Sequence, residues 1–177
     1  VGQPDDGLLL LDVDGPLNPY AAQASRRPPG YETFRQTTGG RWLTGKEARK
    51  RKGLRVWLNP AHGPMLRELA EETGLTLVWA TTWQHEANTC VAPAIGLPEL
   101  PVIEFTPSTG WKWAAVAAYA QGRPIAWLDD QFDEFPAARG TFDEQRAGAS
   151  TFLCHVDPAT GLLDAHVDAI RHWHAAE

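Results

Sequence analysis

Cysteine is scarce in this chain: among 177 residues only Cys90 and Cys154 occur. Two thiols are too few for a disulfide framework or for a zinc site of spaced cysteines. They read as buried free thiols in a reducing cytoplasm. Long hydrophobic runs are missing as well, since none approaches the roughly 20 residues of a transmembrane helix. The opening Val1-Gly2-Gln3-Pro4-Asp5-Asp6 is polar and acidic, unlike a signal peptide. Neither a membrane nor a stable protein partner is expected, and the cytoplasm is the expected location. There is no internal repeat and no linker, which points to one domain over 1–177. Excess positive charge is absent too: a formal net charge of -6 argues against a general nucleic-acid-binding surface. The local exception is a basic run holding Lys46, Arg49, Lys50, Arg51, Lys52 and Arg55.

What the chain does have is a set of short apolar runs, several of which end abruptly in polar groups. Leu8 to Val13, Leu75 to Ala80 and Ile125 to Leu128 have the form of buried strands of a parallel sheet. Pro101 to Phe105 and Thr151 to Val156 complete an expected five-stranded parallel sheet. Helices are expected over 62–73, stopped by Gly74, over 111–120, capped by Ser108 or Thr109, and over about 166–175. The alternation is that of a three-layer α/β domain. Residues 15–53 show no sustained periodicity, and Leu54 to Leu58 reads as a short strand. An irregular segment of that length is usually functional. The insert at about 15–58 is therefore expected to form a flap beside the site.

Ligands of open α/β sheets bind past the carboxyl ends of the strands. That edge would receive Asp12 and Asp14, Thr81 and Thr82, and Asp129 and Asp130. Asp12 and Asp14 lie two apart on an extended backbone, so both side chains point the same way. Carboxylates held that close repel unless a cation or a shared proton intervenes. Mg²⁺ suits them, because it takes carboxylate oxygens, keeps several waters and accepts phosphate oxygens. One carboxylate can act as nucleophile, and the other can protonate the leaving group and then activate water.

These features, with Lys112 at a helix start, resemble the haloacid dehalogenase-like (HAD) superfamily. Its phosphatases carry Asp-x-Asp-Gly-x-Leu, a Ser or Thr, a Lys and an acidic pair in that order. Here these are Asp12-Val13-Asp14-Gly15-Pro16-Leu17, Thr81, Lys112 and Asp129-Asp130. More narrowly, the first motif extended through Asn18-Pro19, with Trp79 to Asn88 and Trp127 to Asp130, resembles a small actinobacterial-type group. That group is related to the HAD domain of multi-domain RNA-repair proteins. The resemblance implies a Rossmann-like HAD core with a minimal cap. It implies Asp12 as nucleophile and Asp14 as general acid/base, with Thr81 as phosphoryl anchor and Thr82 as the alternative one residue on. Lys112 would neutralise charge. Asp12, Asp14, Asp129 and Asp130 would hold Mg²⁺, with Asp130 the direct ligand of the acidic pair. Gly15, Thr82, Trp83 and His85 would border the substrate. Pro16, where Thr or Val is common, departs from the pattern.

Asp14 argues against dehalogenation, because halide leaves unprotonated whereas an alkoxide needs an acid. The expected activity is a Mg²⁺-dependent phosphomonoesterase working through an aspartyl-phosphate on a phosphorylated substrate. A nucleotide or nucleic-acid end is favoured, with the basic run at 46–55 either guiding it or forming a solvated face. The alternatives are a phosphatase of a small biosynthetic phosphoester and a non-catalytic module that binds a phosphorylated ligand.

Overall fold

The computed structural model describes residues 7–106, 110 and 112–177. The expected helix caps Ser108 and Thr109, as well as Trp111, lie outside the described residues. Strand β1 (Leu8–Leu11) is an unbroken leucine run with every residue buried. It runs parallel to β5 (Thr76–Trp79) on one side and β6 (Ile125–Asp129) on the other. Beyond β6 lies β7 (Thr151–His155), giving a parallel sheet ordered β5-β1-β6-β7.

Alternation along β1 divides the core. Leu9 and Leu11 join a cluster with Leu66 and Leu69 of α2 (His62–Thr73) and with Val167 and Ile170 of α6 (Asp164–Ala175). Leu8 and Leu10 face the opposite layer, with Trp113 and Val116 of α4 (Trp113–Ala120) and Phe142 of α5 (Pro136–Gln145). A strand covered on both faces needs no polar position, which is why β1 carries none.

Among the described residues the parallel sheet has four strands rather than the expected five. Pro101–Phe105 reaches β5 at a single bridge, where the Trp79 N–H donates to Pro101 O and the Ile103 N–H donates to Trp79 O, each at 2.9 Å. Pro101 has no N–H with which to continue a ladder, and only Ile103 of this stretch is buried.

The insert between β1 and α2 is also more regular than its sequence implies. Strands β2 (Glu32–Gln36), β3 (Trp42–Leu43) and β4 (Leu54–Leu58) form an antiparallel sheet ordered β3-β2-β4. Helix α1 (Gly45–Lys50) connects β3 to β4. Phe34, Val56 and Leu58 anchor this small sheet to the core cluster that contains Leu9 and Leu11. A π-helical turn (Ala87–Val91) and a short helix α3 (Ala92–Ile95) follow β5. No helix among the described residues is long and apolar enough to cross a membrane.

Candidate active site

The strand order places Asp12 just past β1 and Asp129 at the end of β6, the pair of strands beside the order reversal. Crevices of open α/β sheets form at that place. A cavity of about 380 Å³ opens there, lined by Asp12, Asp14, Thr82, Lys112 and Asp130 of the core and by Arg55 of the insert, among others.

Lys112 occupies the floor and is fully buried. Its Nζ donates to Asp12 Oδ2 at 2.6 Å and to Asp129 Oδ2 at 2.5 Å. Burial lowers the pKa of the ammonium, but Asp12 and Asp129 more than reverse that and raise it. Asp12 also accepts the Val13 N–H at Oδ1, at 2.7 Å. Asp129 accepts the Gln131 N–H at 3.0 Å, and burial, reinforced by Asp12 and opposed by Lys112, pushes its carboxyl up to about 7.

Asp14 is held differently. Its Oδ1 accepts from Asn18 Nδ2 at 2.7 Å and its Oδ2 from Trp83 Nε1 at 2.9 Å. Burial raises its pKa, the Asn18 and Trp83 bonds pull it back, and Asp12 raises it further. Its side chain retains a proton to higher pH than an ordinary carboxyl. Asp130 is also raised, chiefly by burial, against a lowering bond from Tyr20, whose OH donates to Oδ2 at 2.7 Å.

Gly15 explains how the two loops come so close. Its φ is +95°, and a Cβ there would stand 2.6–2.7 Å from the side-chain atoms of Asp130. The chain after Asp14 passes Asp130 at a distance only glycine permits.

Asp12, Asp129 and Asp130 offer oxygens that all lie within 4.8 Å of one another. Three hard carboxylate donors with a single buried ammonium among them leave net negative charge, and this donor set fits a hard divalent cation. The Asp14 carboxylate stands outside that group and is turned toward Asn18 and Trp83.

The other sequence-derived candidates fall into distinct places. Thr82 is exposed on the cavity, whereas Thr81 is fully buried and its Oγ1 accepts the Trp83 N–H at 3.3 Å. Trp83 is buried and meets Asp14 through its indole N–H. His85 lies outside the cavity lining, and its Nε2 contacts Glu104 Oε1 at 2.7 Å on the surface. Of the basic residues from Lys46 to Arg55, only Arg55 lines the cavity.

Sequence reasoning did not assign Asn18 or Tyr20 a part. Asn18 belongs to the extended first motif, and an amide four residues after Asp14 is the one available signal. Tyr20 meets Asp130 across a separation of 110 residues, for which no local pattern exists.

No curated protein matches the chain significantly. Among solved structures, one assigned as a HAD family hydrolase from Streptomyces avermitilis MA-4680 is similar at 15% identity and a TM-score of 0.44. The match covers 98% of this chain and 87% of that one. The sequence model of the family described as the HAD domain in Swiss Army Knife RNA repair proteins matches residues 8–167. That span contains every carboxylate of the cavity and Lys112, and the chain belongs to this HAD-domain family.

Proposed function

We propose that the chain is a Mg²⁺-dependent phosphomonoester hydrolase working through a phosphoryl group on Asp12, with a nucleotide or nucleic-acid end as substrate. One observation carries the reading: Asp12 is pinned by Lys112 while Asp14, two residues on, is aimed by two side-chain donors and has its pKa raised by burial. That is the division of labour between a nucleophile and an acid. The substrate class draws support from the family description, which names RNA repair proteins.

In this reading an Asp12 carboxylate oxygen attacks phosphorus, and the bond from phosphorus to the ester oxygen breaks. The departing alkoxide takes the proton held by Asp14. Water then attacks the phosphorus of the aspartyl-phosphate, Asp14 receives the water's proton, and the acyl phosphate bond breaks to release phosphate and free Asp12. Lys112 holds the Asp12 carboxylate in place through its ammonium bond, and Thr82 offers a hydroxyl to a phosphoryl oxygen. Asp12, Asp129 and Asp130 would hold Mg²⁺, which when bound offsets the charge of the phosphoryl oxygens. Trp83 and Asn18 fix the direction from which Asp14 delivers its proton.

The test is hydrolysis of p-nitrophenyl phosphate with Mg²⁺ and with a chelator, by the parent and by Asp12→Asn. Asn keeps the shape but not the nucleophile. The reading expects turnover only in the parent with Mg²⁺. Turnover by Asp12→Asn near the parent rate would refute the covalent route.

A further inference from the structure

The wall of the cavity opposite the carboxylates comes from the insert, and its chemistry differs from that of the floor. Arg55 projects from β4 with its guanidinium carbon 3.6 Å from the centroid of the Trp57 ring. Its Nη2 donates to the Tyr20 carbonyl at 3.1 Å. Its Nε is buried with no hydrogen-bond partner, an unusual state for a donor that water would otherwise satisfy. Stacking on Trp57 and the Tyr20 bond fix the fork in one orientation, and that bond is the one hydrogen bond Arg55 makes among the described residues.

A second cavity, of about 390 Å³, adjoins the first and shares Tyr20, Leu54 and Arg55 with it. It is also lined by Arg35, whose Nε and Nη1 are tied to the carbonyls of Ala48 and Gly53 at 2.7 and 3.1 Å. Arg35 is near enough to Arg55 to repel its charge. Among the described residues neither arginine makes an ion pair. Two immobilised guanidinium groups with no acid between them incur repulsion that a bound anion would remove. Arg35 and Arg55 face each other across β2 and β4, and the cavity they line also carries Leu54, 56% exposed, and Tyr20, 43% exposed. Exposed apolar and aromatic surface inside a polar trough suits the sugar and base of a nucleotide.

We propose that Arg55, backed by Arg35, binds a second phosphate of the substrate, so that the site takes a nucleotide bearing another phosphate beside the ester that is cleaved. This rests on the phosphatase reading for the first phosphate and adds a subsite for the next. The scissile group has its own partners in Lys112 and Thr82, whereas Arg55 opens toward the neighbouring cavity. The second phosphate belongs either to the next phosphodiester of a chain end or to a free nucleoside bisphosphate.

The experiment compares kcat/KM for a nucleoside 3′,5′-bisphosphate, the matching nucleoside monophosphate, a phosphorylated dinucleotide and p-nitrophenyl phosphate. The parent, Arg55→Gln, Arg55→Lys and Arg35→Gln are assayed. A charge-assisted contact to a second phosphate gives the parent a preference of about tenfold or more for the two-phosphate substrates. Arg55→Gln collapses that preference, and Arg55→Lys keeps part of it. A parent without preference, or an Arg55→Gln that slows all four substrates by one factor, overturns the subsite. If the dinucleotide surpasses the bisphosphate, the chain end is the source; the reverse order identifies the free nucleotide.

Calorimetry of the nucleoside bisphosphate on Asp12→Asn, with and without Arg55→Gln, separates the two readings. Binding that weakens about tenfold on loss of Arg55, without hydrolysis by the parent, upholds the subsite and refutes the phosphatase. Hydrolysis of p-nitrophenyl phosphate, with binding indifferent to Arg55, does the opposite.

Discussion

Replacing Lys112 by Met tests the electrostatic core of the site directly. The substitution keeps a flexible side chain of similar length but removes the one ammonium that bonds both Asp12 and Asp129. Both carboxylates are buried, so the charges left behind have little solvent to screen them. Breaking a buried pair by deleting one partner costs about 3–5 kcal/mol. For a chain of this size each kcal/mol moves Tm by roughly 2–4 °C, so the expected fall is about 10 °C. The assay is thermal and urea unfolding in the presence of a chelator.

Acidity gives the second half of the test. Burial and Asp12 push Asp129 up to about 7 even with Lys112 in place, so without it the carboxyl holds a proton still more readily. The unfolded chain binds that proton only near the ordinary carboxylate value of about 3.9. Between those values the folded state binds more protons, so stability rises as pH is lowered. The parent shares that gain below about 7, so the loss in Lys112→Met is expected to be largest above that value, at pH 8 and higher, to shrink as pH falls toward 7, and to level off below it. Lys112→Met combined with Asp129→Asn should recover part of it at pH 8, because one stranded charge is gone. A loss independent of pH, together with a double variant no more stable than the single, would show that packing rather than charge governs this position.

Trp83→Phe removes a donor that lowers the pKa of Asp14, so the alkaline limb of the kcat/KM profile should move to higher pH, most visibly with poor leaving groups; an unmoved limb would deny Trp83 its positioning role. Gly15→Ala forces a Cβ against Asp130 at a positive φ, and should cost about 1–3 kcal/mol of stability and weaken Mg²⁺ binding in calorimetry; parent-like values for both would contradict the close approach. His62 is buried against Tyr31, and burial lowers its pKa to about 4 from 6.5. Its contribution is complete above about 6.5 and is lost as pH falls toward 4, up to about 3 kcal/mol. His62→Phe should flatten the urea-stability profile in that window, and an equally steep profile would place the acid sensitivity elsewhere.

What the sequence reveals follows from burial. β1, β5 and β6 are covered on both faces, so their composition is almost purely apolar and their ends are abrupt. The charged residues just past those ends are legible for the same reason: a carboxylate directly after a leucine run has few structural excuses. The insert lacks that contrast. β2 buries only Phe34 among its five residues and β3 is two residues long, so neither presents a full alternating period. Helix α5 buries Phe142 alone and contains Gly140, leaving no apolar stripe to detect. Tyr20, Arg35 and Arg55 acquire their place only when the insert folds back over the sheet edge. Nothing within a few residues of Tyr20 or Arg35 announces it, and Arg55 is marked in the sequence only as one member of the basic run at 46–55.

Asn18 shows how closely that folded insert is tied to the chemistry of the core. Its Oδ1 accepts the Trp57 backbone N–H at 3.0 Å while its Nδ2 donates to Asp14 at 2.7 Å. The β4 backbone can only donate at that point, so the amide oxygen must face it and the amide nitrogen must face the carboxylate. One buried side chain therefore sets both the orientation of Asp14 and the height of β4 at Trp57, the ring on which Arg55 rests. A shift of the insert moves the acid and the arginine together. Asn18→Asp should disturb both at once, because it places a second carboxylate against Asp14 and removes the donor that Asp14 uses.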